Sequence, residues 1–238
     1  MSMLSLLRDT RLFIKTVRML GKAKTLGFAL IAATLAVIPP AWAANVKPTM
    51  SAARALQLLL DGNQRFIAGR LDHPDQSRER REEVAKGQHP FASVLSCSDS
   101  RVPPEVIFDQ GLGDLFVVRV AGNVATDITI QSLDYSVKHL GVRVVMILGH
   151  TECGAVKAAI LGHDEEGDVG PLLSELKPAV ADSKGQPGDP VTNAVRENVK
   201  LVMQKLEESP ELSAMVKTGE LRIIGGVYNL KTGKIDIL

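Results

Sequence analysis

Cysteine is scarce in this chain, which has only Cys97 and Cys153 among its 238 residues. Two cysteines can form at most one disulfide, so a framework of several disulfides is excluded. No segment has the glycine and lysine spacing of a phosphate-binding loop, which argues against that class of nucleotide site. Internal repeats and low-complexity segments are also missing, so neither a solenoid nor a compositionally biased tail is indicated.

The first 43 residues have the pattern of a secretory signal peptide. A basic leader precedes an apolar stretch, residues 25–38, and Ala41 and Ala43 supply an A-x-A cleavage site. A membrane span needs roughly 20 apolar residues, so this stretch is short for an anchor, although an uncleaved anchor is the alternative. No twin-arginine pair precedes it, which favours the general export route, and Met19 is an alternative start. We expect an exported, periplasmic protein whose mature domain is residues 44–238.

The mature domain has no excess of positive charge. The first 43 residues contain six of the 28 basic and one of the 27 acidic residues, which leaves a net charge near −4. This balance gives no indication of binding to nucleic acid or, after cleavage of the signal, to an anionic membrane.

The mature sequence alternates between apolar runs and amphipathic helical patterns. Four strands are predicted at residues 91–97, 115–121, 143–148 and 221–227, and an antiparallel edge strand at residues 235–238. Helices are predicted from Thr49 or Ser51, from Pro103, from Asp127, over residues 152–161, and from Asp189. Residues 70–88 are highly charged and are interpreted as a solvated helix face or a connector. The pattern predicts an α/β fold with a mostly parallel central sheet flanked by helices and an N-terminal helical arm.

Metal-ligating side chains follow two of the predicted strands. Cys97 ends the first strand, His150 ends the third, and Cys153 comes three residues later. If the two strands are neighbours, these ligands meet in the crevice at the carboxyl ends of the sheet. Two sulfurs and one imidazole suit a tetrahedral zinc site whose fourth position is open. A single Cys97–Cys153 disulfide is the competing interpretation, since exported cysteines commonly pair.

Asp99 and Arg101 lie immediately after the first of these ligands. An ionised Asp99 near the metal could orient a zinc-bound hydroxide, with Arg101 keeping it charged through a bidentate pair. Asp99 could instead bind the metal itself and close the site. Residue types alone allow both states.

Several motifs together resemble the β-class carbonic anhydrases. The strongest are C-S-D-S-R-V-P-P-E, beginning at Cys97, and G-H-T-E-C-G, beginning at Gly149. The similarity extends over residues 51–238 and includes A-K-G-Q at 85–88, F-V-V-R at 116–119, A-G-N at 121–123 and G-V-Y at 226–228.

The resemblance implies roles for individual residues. It implies that Cys97, His150 and Cys153 bind Zn²⁺ and that Asp99 and Arg101 form a gating dyad, with Asp99 a fourth ligand only in a closed state. Residues implied to line the substrate pocket, in part from a partner subunit, are Gln88, Phe116 and Tyr135.

The resemblance also has implications for assembly and regulation. It implies a homodimer or a dimer of dimers. Some members have a second, inhibitory bicarbonate site, for which Arg119 and Tyr228 match here, whereas Val94 stands in place of a tryptophan.

The implied activity is reversible hydration of carbon dioxide to bicarbonate and a proton by a zinc-bound hydroxide. Two alternatives stay open at this point. One is a non-catalytic zinc protein in which Asp99 permanently completes the coordination, and the other is a hydrolase of a related linear molecule such as carbonyl sulfide or carbon disulfide.

Overall fold

A five-stranded sheet forms the centre of the computed structural model, which describes residues 50–162 and 169–238. Its strands are β1 (Ala92–Ser96), β2 (Leu115–Arg119), β3 (Val144–His150), β4 (Arg222–Tyr228) and β5 (Ile235–Ile237). Their order across the sheet is β2-β1-β3-β4-β5. The first four strands run parallel and β5 is antiparallel to β4, so the predicted α/β class and the antiparallel edge strand are confirmed.

Helices connect the strands. They are α1 (Ala52–Ile67), α2 (Arg78–Val84), α3 (Pro104–Ile107), α4 (Asp127–His139), α5 (Gly154–Leu161), α6 (Gly170–Ser174), α7 (Lys177–Asp182), α8 (Pro190–Glu208) and α9 (Pro210–Lys217). Ser51 caps α1 by accepting a hydrogen bond from the Arg54 backbone amide, and Asp189 caps α8 in the same way through Thr192. The charged segment predicted as a connector or solvated face contains α2, none of whose residues is buried.

The second strand is shorter than predicted. It ends at Arg119, and Ala121–Asn123 forms a 3₁₀ turn instead of continuing the strand. The cause is local, because Gly122 adopts φ 68° and ψ 13°, a left-handed conformation that is incompatible with a strand. This turn leads the chain from the carboxyl end of β2 across the end of β1.

Alternate residues of the central strands enter two separate cores. Leu95, Val145 and Ile147 pack with α4, α5, α8 and α9 on one face of the sheet. Val94 and Met146 pack with α1 and the residues around α3 on the other face. Since strand side chains alternate between faces, the unbroken apolar run of β3 is explained by burial on both sides.

Two glycines let α8 lie unusually close to the sheet. A Cβ atom on Gly149 of β3 would lie 2.7 Å from Val195 Cγ1 and 2.8 Å from Val199 Cγ2. A Cβ atom on Gly225 of β4 would lie 2.5 Å from Met203 Sδ. The helix therefore packs against bare backbone, which brings its side chains within reach of the carboxyl ends of the strands.

One sequence prediction, the signal peptide at residues 1–43, lies outside the described residues. Across the described helices, none is both long enough and apolar enough to cross a membrane.

Candidate metal centre

Three potential metal ligands meet at the carboxyl end of the sheet. Cys97 follows β1, His150 is the last residue of β3, and Cys153 immediately precedes α5. Because β1 and β3 are adjacent and parallel, their ends lie side by side. The ligand atoms of the three residues are within 4.8 Å of one another, and all three residues are buried. The condition that the sequence left open, that these two strands are neighbours, is met.

Hydrogen bonding fixes the tautomer of His150. Its Nδ1 lies 2.9 Å from the carbonyl oxygen of Thr151, and since a carbonyl can only accept, Nδ1 is the protonated nitrogen. The other nitrogen, Nε2, is buried and has no hydrogen-bond partner among the described residues. A buried imidazole nitrogen with a free lone pair that faces two sulfurs is the arrangement a metal ligand requires.

A hydrogen bond between the two thiols shifts their pKa values in opposite directions. A hydrogen bond from Cys153 lowers the pKa of Cys97 to about 4, against the opposing effect of burial, with further help from the backbone amides of Asp99 and Gly122. The hydrogen bond to Cys97 and burial raise the pKa of Cys153. One thiolate is thus favoured at Cys97, and a bound metal would displace the proton of Cys153 and make it the second thiolate.

Asp99 and Arg101 form a closely paired dyad beside these ligands. Arg101 Nε donates to Asp99 Oδ1 at 2.9 Å and Nη2 donates to Oδ2 at 2.7 Å, while the Arg101 backbone amide also donates to Oδ1. The guanidinium holds the pKa of the Asp99 carboxyl well below its usual range. Asp99 Oδ2 is 3.8 Å from His150 Nε2, so an ionised carboxylate lies at the edge of the ligand cluster.

Arg119 and Gly122 contact this site in ways that the sequence did not indicate. Arg119 Nε donates to the carbonyl of Cys97 at 3.1 Å and its Nη2 donates to the carbonyl of Asp99 at 2.6 Å. The backbone amide of Gly122 donates to Cys97 Sγ at 3.2 Å. Contacts with backbone atoms cannot be predicted from residue types. A glycine just beyond a strand end does, however, indicate a place where another group can come close to the backbone.

The predicted pocket residues lie apart from the ligand cluster within one chain. Phe116 of β2 is in register with Ser93, four residues before Cys97, which corresponds to about 13 Å along the strand. Its ring is 6.2 Å from that of Tyr135 of α4, so these two residues are together. Gln88 lies in the exposed segment after α2.

The donor set fits a borderline-soft divalent cation. Two buried sulfurs and one imidazole nitrogen, with no fourth side chain in the cluster among the described residues, match the ligand preferences of zinc and leave one coordination position for another molecule. Both cysteines are free thiols, so the competing disulfide interpretation is not what the structure has.

Comparison with known proteins agrees with this geometry. A sequence profile of the carbonic anhydrase family matches residues 92–235. Carbonic anhydrase 2 of Mycobacterium tuberculosis is 37% identical over 195 residues, which cover 79% of this chain and 93% of that protein.

The chain belongs to the β-carbonic anhydrase family.

Solved structures of β-carbonic anhydrases share its fold. CafA of Aspergillus fumigatus is 31% identical with a TM-score of 0.60, over 78% of this chain and 88% of that one. One of two tetrameric enzymes from Sordaria macrospora is 27% identical with a TM-score of 0.59, over 66% of this chain and 85% of that one.

In this β-carbonic anhydrase, the structure places the residues compared above with an inhibitory bicarbonate site: Arg119 and Tyr228, which match it, and Val94, which stands in place of its tryptophan. Val94 is fully buried in the core beneath α1. Tyr228 is also buried, with its ring 6.4 Å from that of Phe66. Arg119 is bonded to the loop that carries Asp99.

Proposed function

We propose that this carbonic anhydrase catalyses the zinc-dependent, reversible hydration of carbon dioxide to bicarbonate and a proton. The observation that carries the proposal is the buried cluster of Cys97, His150 and Cys153 with the Asp99–Arg101 pair at its edge. These three ligands would hold a zinc ion and leave one coordination position for the reacting molecule.

The protein groups have distinct tasks in this proposal. A zinc ion bound here supplies Lewis acidity, which lowers the pKa of a coordinated water molecule towards neutrality. Cys97 and Cys153 contribute negative charge, and the hydrogen bond from His150 Nδ1 to Thr151 keeps Nε2 directed at the metal. Asp99, held ionised by Arg101, accepts a hydrogen bond at the fourth position and so orients the reacting group.

The hydrogen bonds of Asp99 favour the open, catalytic form. Both carboxylate oxygens accept hydrogen bonds from Arg101, so movement of Asp99 into the fourth position would strain or break this pair. A bidentate arginine–carboxylate pair is among the stronger polar contacts in proteins. This pair weighs against a protein in which Asp99 permanently completes the coordination. In the proposed mechanism, Arg101 acts as the gate.

The decisive experiment is stopped-flow carbon dioxide hydration by the zinc-loaded protein from about pH 6.5 to 9, the range in which the acid and base forms of the site interconvert. Because two thiolates donate more charge than imidazoles, we expect activity to rise towards alkaline pH. Asp99→Ala should retain zinc and lose most of the hydration rate, whereas Cys153→Ala should lose zinc. A buffer-level rate at every pH with zinc bound would contradict the proposal, and turnover of carbonyl sulfide or carbon disulfide in its place would support the alternative hydrolase.

The proposed assembly is a homodimer or a dimer of dimers. The Sordaria macrospora relatives are tetrameric, and within one chain Phe116 and Tyr135 are distant from the ligand cluster, as expected if Gln88, Phe116 and Tyr135 line the pocket partly from a partner subunit. Light scattering on the zinc-loaded protein measures the assembly directly. A monomer with full hydration activity would contradict the proposed pocket.

Export to the periplasm, with cleavage after Ala43, is also proposed on the sequence pattern alone. The mass of the protein recovered from a periplasmic fraction tests it. Recovery of a chain that retains residues 1–43 would show an uncleaved leader.

A further inference from the structure

Asn198 is a buried polar residue on the apolar face of α8. It is 2% exposed, and it lies among Val195, Val199 and Val202, which belong to the core against the sheet. Burying a side-chain amide among valines costs free energy unless it is hydrogen-bonded. Its Nδ2 group donates to the carbonyl oxygen of Gly122 at 2.8 Å. Since a carbonyl can only accept, this contact also fixes which way the amide points.

Gly122 connects this helix to the metal centre. Its carbonyl accepts from Asn198, and its amide donates to Cys97 Sγ at 3.2 Å. The residue has the left-handed conformation φ 68° and ψ 13°, for which glycine has no intrinsic preference over other backbone states. The hydrogen bond from Asn198 therefore restrains the backbone whose N–H group points at the sulfur.

The position of Asn198 is itself well determined. Gly149 and Gly225 allow α8 to pack directly on the backbone of β3 and β4, and Val195 and Val199 on either side of Asn198 are fully buried. The amide is thus carried by a rigid helix that contacts the strand ending in His150.

We propose that Asn198 is a positioning residue for the metal centre. Through Gly122 it sets the N–H···S hydrogen bond to Cys97, and this bond controls how strongly the Cys97 thiolate donates to the metal. A hydrogen bond to a metal-bound sulfur withdraws electron density from it, so loss of the bond makes the thiolate a stronger donor. Groups that orient metal ligands typically change metal affinity or activity 10–100-fold when removed. The inference rests on the proposed zinc site.

The test compares Asn198→Ala with Asn193→Ala. Asn193 lies on the same helix and also donates through Nδ2 to backbone carbonyls, those of Gln186 and Pro187, but these have no connection to the ligands. Both variants and the wild type are loaded with Co²⁺, and the thiolate-to-cobalt charge-transfer absorption is recorded together with zinc affinity by chelator competition. We expect the absorption of Asn198→Ala to move to lower energy. Its zinc affinity should fall about tenfold, because the lost positioning of Cys97 outweighs the gain in its donor strength, and both quantities should be unchanged in Asn193→Ala.

A purely structural role predicts a different result. If Asn198→Ala is less stable but keeps the wild-type absorption and zinc affinity, the proposal is wrong. Should that variant fail to fold, Asn198→Leu fills a similar volume without a donor and is measured in the same way. Carbon dioxide hydration is assayed separately, so a wild-type protein that binds metal without turnover would refute the proposed function and leave this test intact.

Discussion

Addition of a single methyl group at Gly149 provides a quantitative test of how tightly α8 packs on the sheet. The new Cβ in Gly149→Ala would lie 2.7 Å from Val195 Cγ1 and 2.8 Å from Val199 Cγ2. Both valines are buried, at 1% and 0% exposed. As β-branched residues in a helix they have one strongly preferred rotamer, so neither can rotate away and the helix must move.

The size of the effect follows from two opposing contributions. Overpacking a well-filled core costs about 1–3 kcal/mol, and two contacts with immobile side chains place this site near the upper end. Replacing glycine by alanine in a strand recovers about 0.5–1 kcal/mol of backbone entropy. The net destabilisation is about 2 kcal/mol, which is roughly a thirtyfold change in the unfolding equilibrium constant.

Gly154→Ala is the matched control. Gly154 is adjacent to the ligand Cys153 as Gly149 is to His150, but a Cβ there would have nothing within 4 Å, and the residue lies in α5. This variant should be unchanged or up to about 1 kcal/mol more stable. Denaturant unfolding of the zinc-loaded proteins, with midpoint and slope both fitted, gives the comparison. Equal unfolding free energies for the two variants would refute the close packing of α8.

Three further predictions concern individual polar contacts. Arg119→Met removes the bonds to the carbonyls of Cys97 and Asp99 and should lower kcat/KM of carbon dioxide hydration roughly tenfold by misplacing the dyad; unchanged stopped-flow kinetics would contradict this. Asp109→Asn should destabilise the protein by about 3 kcal/mol at neutral pH, because buried Asp109 accepts from Arg65 Nε and from the amides of Asp72 and His73. Burial acts to raise the pKa of Asp109, but these hydrogen bonds together outweigh it and lower that pKa. The stabilisation is therefore present above the pKa near 4 that this carboxyl has in the unfolded chain, and it is lost as pH falls through the lower pKa of the folded protein. The Tm values of variant and wild type should converge in acid, and a Tm difference that stays constant with pH would contradict this. Asn63→Ala removes contacts to Ile107, Gly233 and Ile235 and should cost about 3 kcal/mol, measured by thermal unfolding, where a Tm equal to that of wild type would exclude a bridging role.

The sheet could be predicted from sequence because its central parallel strands are buried on both faces. An unbroken apolar run between two predicted helices, such as that of β3, is typical of a strand that is covered on both sides. The strand order could not be derived in the same way, since it depends on which faces the helices cover. The short helices α6, α7 and α9 were not predicted. They begin with or next to proline and span only five to eight residues, too few for a helical period to show.

The ligand triad was predictable for a different reason. Cysteine is scarce in this chain, and histidine is less often fully buried than apolar residues, so Cys97 and His150 stood out by residue type at the ends of apolar runs. Gly122 acts through its backbone amide, and the Arg119 side chain donates to backbone carbonyls, so neither contact could be read from residue types. Asn198 could have been noticed, because it is a polar residue among valines at positions 195, 199 and 202 of a predicted amphipathic helix.

Because the ligands are far apart in the sequence, metal binding depends on folding. Cys97 and His150 are 53 residues apart in the sequence and meet only where β1 pairs with β3. No segment of the unfolded chain contains all three ligands in one short stretch, so tight metal binding awaits formation of the sheet centre, and metal then stabilises that pairing. The zinc stoichiometry of a preparation is consequently a lower bound on the fraction of molecules in which the two central strands have paired, and a chelator should favour the unfolded chain.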